Sequence, residues 1–111
     1  MWKSSTQLVA GYFEMWNSSD VAAASGLIAD VWLDHAHPDL RGPEAVAATV
    51  VAIRKARPAL RFTIEALVSD DPTTVVAIGT AHTDDATSEH LVWIFRVEDG
   101  KLSQVWTYRR L

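Results

Sequence analysis

The chain has 111 residues, of which 49% are hydrophobic, and carries a formal net charge of −4 at a pI near 5.4. This length and apolar content predict one globular domain over residues 1–111. A phosphate backbone is bound by clustered Lys and Arg, so the acidic balance argues against nucleic acid as a partner. No apolar run is nearly as long as a membrane-spanning helix, and the sequence does not start with the basic segment and apolar segment of a secretion signal. Cys is absent. We therefore expect a cytoplasmic protein with no membrane partner and no disulfide.

The first half of the chain predicts three helices and a short strand. Ser4-Ser5-Thr6-Gln7 is a capping box, and apolar residues at helical spacing follow it. Pro43 suits the first position of the third helix, and Pro58 stops that helix. The predicted elements are helix one to about Trp16, helix two from Val21 to Gly26–Ile28, a strand over Val31–His35, and helix three over Pro43–Pro58.

The second half predicts a meander of four strands, Leu60–Val68, Thr74–Thr83, His90–Val97 and Leu102–Arg109. Leu60–Val68 alternates with period two, which places Val68 on the buried face with Leu60. Glu98-Asp99-Gly100-Lys101 is a hairpin signal between the last two strands. Helices followed by an antiparallel meander predict an α+β fold in which the helices cover one face of the sheet.

Four segments carry a resemblance to a known superfamily: Tyr12-Phe13-Glu14, Trp32-Leu33-Asp34-His35, Arg41-Gly42-Pro43-Glu44-Ala45-Val46 and Phe95-Arg96-Val97-Glu98-Asp99-Gly100-Lys101-Leu102. With the order of elements, they resemble the nuclear transport factor two-like superfamily, and within it the SnoaL-like polyketide cyclases and the ketosteroid isomerases. The resemblance implies a cystatin-like α+β roll. In such a roll, a cone-shaped, curved and mainly antiparallel sheet carries the three N-terminal helices on its concave side, around an apolar pocket.

Asp34 and His35 are the candidate catalytic bases. Strand alternation puts Trp32 and Asp34 on one face and His35 on the other, so only one candidate should point fully inward. The resemblance implies that Asp34 matches the general base of ketosteroid isomerases, and that Asp34 and His35 form an Asp-His pair common in SnoaL-like proteins. A carboxylate enclosed by apolar groups is a better proton acceptor near neutral pH than a solvated one. His35 and His37 would share a strand face, but they lack a third ligand, so no metal is expected.

Tyr12 is the candidate oxyanion donor. The resemblance implies that it matches the Tyr that ketosteroid isomerases direct at the enolate oxygen. The alternative, which helical spacing slightly favours, is an ordinary core position on helix one. The second donor of those enzymes, a protonated Asp, falls at Trp93, whose indole N–H donates one bond and exchanges no proton. This departure favours a planar aromatic or polyene-like ligand against an apolar wall of Trp93 and Phe95, with Trp16 and Trp32.

His82 and His90 flank a loop predicted at Asp84–Ser88. His82 is the candidate polar end group for a ligand at the mouth of the cone, and a solvated position beside the loop is the alternative. Trp106 and Tyr108, on the last strand, predict a homodimer, because an open sheet in so small a domain leaves one face to cover.

These observations favour an enzyme that moves a proton on a hydrophobic carbonyl or polyketide-like small molecule, with isomerisation, aldol-type cyclisation or dehydration as the outcome. The chain lacks a phosphate loop, a dinucleotide fingerprint and a nucleophile elbow, so no cofactor is expected. One alternative is a ligand carrier or dimerisation module without catalysis. Another is an epoxide-opening hydrolase or cyclase, which requires Glu14 or Glu65 as a partner of Asp34.

Overall fold

The computed structural model describes residues 3–83 and 87–110. The elements are α1 (Ser5–Ser18), α2 (Ala24–Leu27), β1 (Ile28–Asp34), α3 (Gly42–Ala56), β2 (Arg61–Asp71), β3 (Thr74–His82), β4 (Ser88–Glu98) and β5 (Lys101–Arg109). The order of elements is as predicted. Within the two described ranges, none of the helices combines the length and the apolar character needed to cross a membrane.

Local hydrogen bonds determine where α1 and α2 begin. Ser4 and Gln7 form the predicted capping box, because each side chain accepts the backbone N–H of the other, at 3.2 and 2.8 Å. Helix α2 begins at Ala24 and not at Val21, because the Asp20 carboxylate accepts the Ala22 N–H at 3.1 Å and holds this segment in a turn.

A five-stranded mixed sheet is the framework for the rest of the fold. Its strand order is β1-β5-β4-β3-β2, with β1 parallel to β5 and all other neighbours antiparallel. The helices cover one face of this sheet, which confirms the predicted α+β roll. The buried residues of α1, α3 and the sheet form one continuous apolar core.

Strand β2 contains a β-bulge that the alternating pattern did not reveal. Ile64 pairs with Gly79 and Ala66 pairs with Ile78, so Glu65 is an extra residue in the ladder. The extra residue reverses the alternation, and Val68 is 55% exposed. The prediction that Val68 lies on the buried face is therefore wrong.

The free edge of β2 is closed by a side chain from α1. The Asn17 amide nitrogen donates to the Phe62 carbonyl, and the Asn17 amide oxygen accepts the Phe62 N–H, both at 2.8 Å. The amide therefore replaces the two backbone bonds that a neighbouring strand would make at this point. These bonds fix the end of α1 to the start of β2.

Candidate functional site

A cavity of about 250 Å³ lies between α1, the turn after β1, and the sheet. Its walls are mainly aromatic and aliphatic, and apart from the indoles the polar side chains among its described residues are Tyr12, Asp34, His37 and Thr107. Three larger depressions, of about 520, 420 and 300 Å³, lie elsewhere on the surface. They are shallower and less apolar, whereas sites for organic ligands are usually enclosed, apolar and equipped with a few polar groups. The smaller cavity is therefore the candidate site.

The aromatic wall of this cavity is continuous. Phe13 meets Trp93 edge to face with ring centroids 4.8 Å apart, and Phe62 lies 5.8 Å from Trp16 and 5.9 Å from Trp93. The bonds between Asn17 and the Phe62 backbone hold Trp16 and Phe62 on opposite elements at this distance. Trp16 and Trp93 both line this cavity, and their contact with a ligand stays a prediction.

Trp32 and Phe95 lie behind the cavity wall and not in it. Their side chains are 1% and 0% exposed, and neither lines the cavity. Both pack against Tyr12, at ring-centroid distances of 5.7 and 5.2 Å. The expectation that Trp32 and Phe95 contact ligand is therefore wrong. Both residues belong to the core and pack against Tyr12.

The structure separates Asp34 from His35. Asp34 is half-buried and lines the cavity, and its carboxylate accepts the Ala36 N–H at 2.9 Å. His35 lies outside the cavity, stacked on Trp106 with centroids 4.4 Å apart and its Nε2 2.9 Å from the Gln104 amide oxygen. Of the two candidate bases, only Asp34 is placed to meet a ligand in the cavity.

Tyr12 is buried at the inner end of the same cavity. Burial raises the pKa of its phenol well above the ordinary value, the neighbouring Trp16 side chain lowers that pKa in part, and the negative charge of Asp34 raises it. The phenol therefore remains protonated across the physiological range and is available as a hydrogen-bond donor. Tyr12 and Asp34 therefore line the same cavity, one as a protonated phenol and the other as a half-buried carboxyl group.

The raised pKa of Tyr12 predicts a loss of stability in alkali. Above the ordinary tyrosine pKa of about 10, the unfolded chain ionises Tyr12 and the folded chain does not, so each further pH unit costs about 1.4 kcal/mol. Urea unfolding at pH 8 and pH 11 should show a smaller alkaline loss for Tyr12→Phe than for the parent. Tyr108→Phe, at a side chain 52% exposed in the single chain, is the matched control at a protein concentration low enough to keep all three proteins monomeric, and it should retain the parental loss. Equal losses in all three proteins would contradict the assignment.

His37 and Thr107 line the cavity but were not predicted as site residues. The chain leaves β1 at Asp34 and turns, with the His37 N–H donating to the Asp34 carbonyl at 2.9 Å. His37 therefore does not share a strand face with His35, contrary to the prediction. Thr107 could have been found by alternation from Val105, which is buried on the same strand. No metal-binding cluster occurs among the residues that the structure describes.

His82 lies outside the cavity, with both ring nitrogens near hydroxyl groups. Its Nε2 is 3.2 Å from the Thr63 hydroxyl, and its Nδ1 is 3.1 Å from the Ser88 hydroxyl. The expectation that His82 contacts ligand in the cavity is corrected, because its position on β3 directs it away from the concave face. The loop predicted at Asp84–Ser88 includes residues 84–86, which lie outside the described residues.

The two carboxylates considered as partners of Asp34 also lie elsewhere. Glu14 and Glu65 are exposed and line a different depression, between α1 and β2. Glu65 lies 3.7 Å from the Arg110 guanidinium. Neither is among the residues described at the cavity, so the carboxylate pair that an epoxide-opening site requires is not formed there.

The fold and the cavity define an α+β roll with a small apolar pocket, and comparison with known proteins identifies its family. Residues 9–105 match the model of the SnoaL-like domain. The chain belongs to this family, within the nuclear transport factor two-like superfamily. No relative among curated proteins matches the sequence.

Solved structures share the fold at low identity. A SnoaL-like polyketide cyclase from Agrobacterium tumefaciens is 18% identical, with a TM-score of 0.80 over 97% of this chain and 92% of that one. TsrD from Streptomyces laurentii is 21% identical, with a TM-score of 0.78 over 94% and 86%. IdmH from Streptomyces antibioticus is 19% identical, with a TM-score of 0.79 over 96% and 92%. These similarities establish the fold and not the reaction.

Proposed function

We propose that the chain is a cytoplasmic enzyme that transfers a proton at the carbon beside a carbonyl group of a planar hydrophobic molecule, without a cofactor. The observation that carries this proposal is the placement of Asp34 and Tyr12 in one apolar cavity. A carboxylate is a base for such a proton, and a protonated phenol is a donor for the carbonyl oxygen. The polyketide cyclase of the same fold supports a substrate of this class.

In this mechanism the ligand carbonyl accepts a hydrogen bond from the Tyr12 hydroxyl. The Asp34 carboxylate removes a proton from the adjacent carbon, and the electron pair of that C–H bond moves onto the oxygen to form an enolate. Tyr12 stabilises the new negative charge more strongly than the neutral carbonyl, which lowers the barrier. In a ligand with a C=C bond next to that carbon, return of the proton from Asp34 to the far carbon of the dienolate completes an isomerisation. In a cyclisation, the enolate carbon attacks a second carbonyl, and Asp34 returns the proton to the alkoxide that forms. Trp16 and Trp93 hold the flat ligand between them.

Deuterium exchange tests this proposal without knowledge of the natural substrate. The bicyclic ketone 2-tetralone is flat and neutral, with an acidic CH₂ group beside its carbonyl. In D₂O at pD 7, proton NMR should show faster loss of that signal with the protein than with an equal concentration of bovine serum albumin. Binding of 2-tetralone without accelerated exchange would contradict catalysis and support the alternative of a ligand carrier.

We also propose that the chain is a homodimer that pairs through the outer face of its sheet. Cross-strand register aligns two apolar rows on that face, Val76–Ile94–Trp106 and Ile78–Val92–Tyr108. All six are at least partly accessible, and Tyr108 is 52% exposed. Burial of such a face is favourable, and a two-fold axis lets one patch serve both copies.

Light scattering during gel filtration tests the homodimer. A protein of 12.2 kDa should elute with about twice that mass at micromolar concentration, and Tyr108→Glu should shift it toward the monomer. Val51→Glu, at an exposed position on α3, is the control and should remain dimeric. A monomeric parent under these conditions would contradict the proposal.

A further inference from the structure

We infer that the cavity selects for charge: it admits neutral ligands and rejects those that carry a carboxylate or phosphate, with Asp34 as the residue that sets this specificity. The inference rests on the proposed function, because it concerns the ligand of the same cavity. It goes beyond that function by naming a class of compounds to be excluded, namely free acids, and a class to be accepted, namely ketones and esters of similar shape.

The first observation is the charge of the cavity walls. Among the described residues that line it, Asp34 is an acid, His37 is an exposed imidazole at the mouth, and neither Lys nor Arg occurs. Sites that bind carboxylates or phosphates use Arg or Lys to compensate the charge on the ligand. A carboxylate placed in this cavity would meet a like charge without a guanidinium or an ammonium partner.

The second observation is that the nearby cations are engaged elsewhere. Arg54 follows the cavity residue Ile53 on α3, but its guanidinium donates to the carbonyls of Leu60 and Pro58, which hold the connection from α3 to β2. On the sheet, Arg109 pairs with a glutamate on the neighbouring strand. Two further arginines are also bonded away from the cavity: Arg96 donates to the Thr74 hydroxyl on β3, and Arg110, just after β5, donates to the Gly79 carbonyl.

The third observation is that the charge of Asp34 has an electrostatic effect on Tyr12, at the inner end of the cavity. Burial is the main cause of the raised pKa of the Tyr12 phenol, and the negative charge of Asp34 raises that pKa further, so both disfavour a second negative charge at that place. A ligand carboxylate hydrogen-bonded to Tyr12 would occupy nearly the same position. By contrast, proton transfer from a neutral ligand to Asp34 keeps the cavity at one negative charge throughout the reaction.

A pair of ligands with the same shape and different charge tests the inference. The two probes are 2-acetylnaphthalene, which is neutral, and 2-naphthoate, which is an anion. NMR titrations at pH 8, above the range in which free histidine titrates, follow the indole N–H signals of Trp16 and Trp93. The ketone should bind at least tenfold more tightly than the carboxylate, a difference of about 1.4 kcal/mol.

Asp34→Asn identifies the origin of the selectivity. This variant removes the charge and keeps the amide oxygen that can accept the Ala36 N–H, so affinity for the ketone should stay within about threefold while affinity for the carboxylate rises about tenfold. Asp30→Asn, at an exposed position on the same strand and outside the cavity, should leave both affinities unchanged.

Three outcomes would overturn the inference. They are equal or tighter binding of the carboxylate to the parent, a selectivity that persists in Asp34→Asn, and the absence of any indole response to the ketone. These readouts measure binding alone. A parent that binds ketone selectively and yet does not catalyse exchange would leave charge selection standing and remove the proposed enzyme function.

Discussion

Replacement of Asp34 by Asn is expected to slow the exchange of 2-tetralone protons by about 10²–10⁴-fold. The substitution removes the proposed base and preserves size, and the Asn oxygen can still accept the Ala36 N–H that shapes the turn after β1. The loss should fall mainly on the catalytic rate and not on ligand affinity, because Asn cannot take up the proton but still fits the same place. Proton NMR in D₂O gives the rate, and circular dichroism verifies the fold.

Two controls accompany this experiment. Asp30→Asn removes a carboxylate from the same strand at an exposed position outside the cavity, and its exchange rate should equal that of the parent. His35→Ala also tests the second candidate base. Since His35 is stacked on Trp106 outside the cavity, its removal should change the rate less than about threefold. Full activity in Asp34→Asn would eliminate the proposed mechanism.

Trp32→Ala is expected to destabilise the protein by about 3–5 kcal/mol, the usual cost of truncating a large buried aromatic residue. Trp32 is 1% exposed and packs against Tyr12, so the truncation leaves a void inside the core. Trp16→Ala, at a half-buried position on the cavity wall and away from the outer face of the sheet, is the control and should cost substantially less. Urea unfolding measures both free energies. Comparable losses for the two variants would contradict the assignment of Trp32 to the core.

Local signals in the sequence were sufficient for most of the fold. The capping box at Ser4, Pro43 at the start of α3 and the hairpin at Glu98–Lys101 act over a few residues, and the structure contains all three features. The start of α2 and the bulge at Glu65 were missed. Both depend on a specific hydrogen bond or on the register with a neighbouring strand, and neither changes the pattern of apolar residues.

The site was harder to predict than the fold, because whether a side chain points toward the core depends on tertiary structure. Alternation along β1 established that Asp34 and His35 point in opposite directions, but it did not decide which of them faces the core. That choice depends on the pairing of Asp34 with Val105. For Trp32 and Phe95, an apolar residue on the inner face can fill the core or border a cavity, and the periodicity is the same in both cases.

The parallel pairing of β1 with β5 has a consequence for synthesis on the ribosome. Asp34 and its partner Val105 are far apart in the chain, whereas β2, β3, β4 and β5 each pair with the strand next to them in sequence. The meander can therefore form progressively as it emerges, but β1, apart from one bridge between Leu33 and Arg41, has no strand to pair with until β5 has left the exit tunnel. Until then, the strand that carries the proposed base lacks its neighbour in the sheet, and its apolar residues are accessible to chaperones and to premature association between nascent chains.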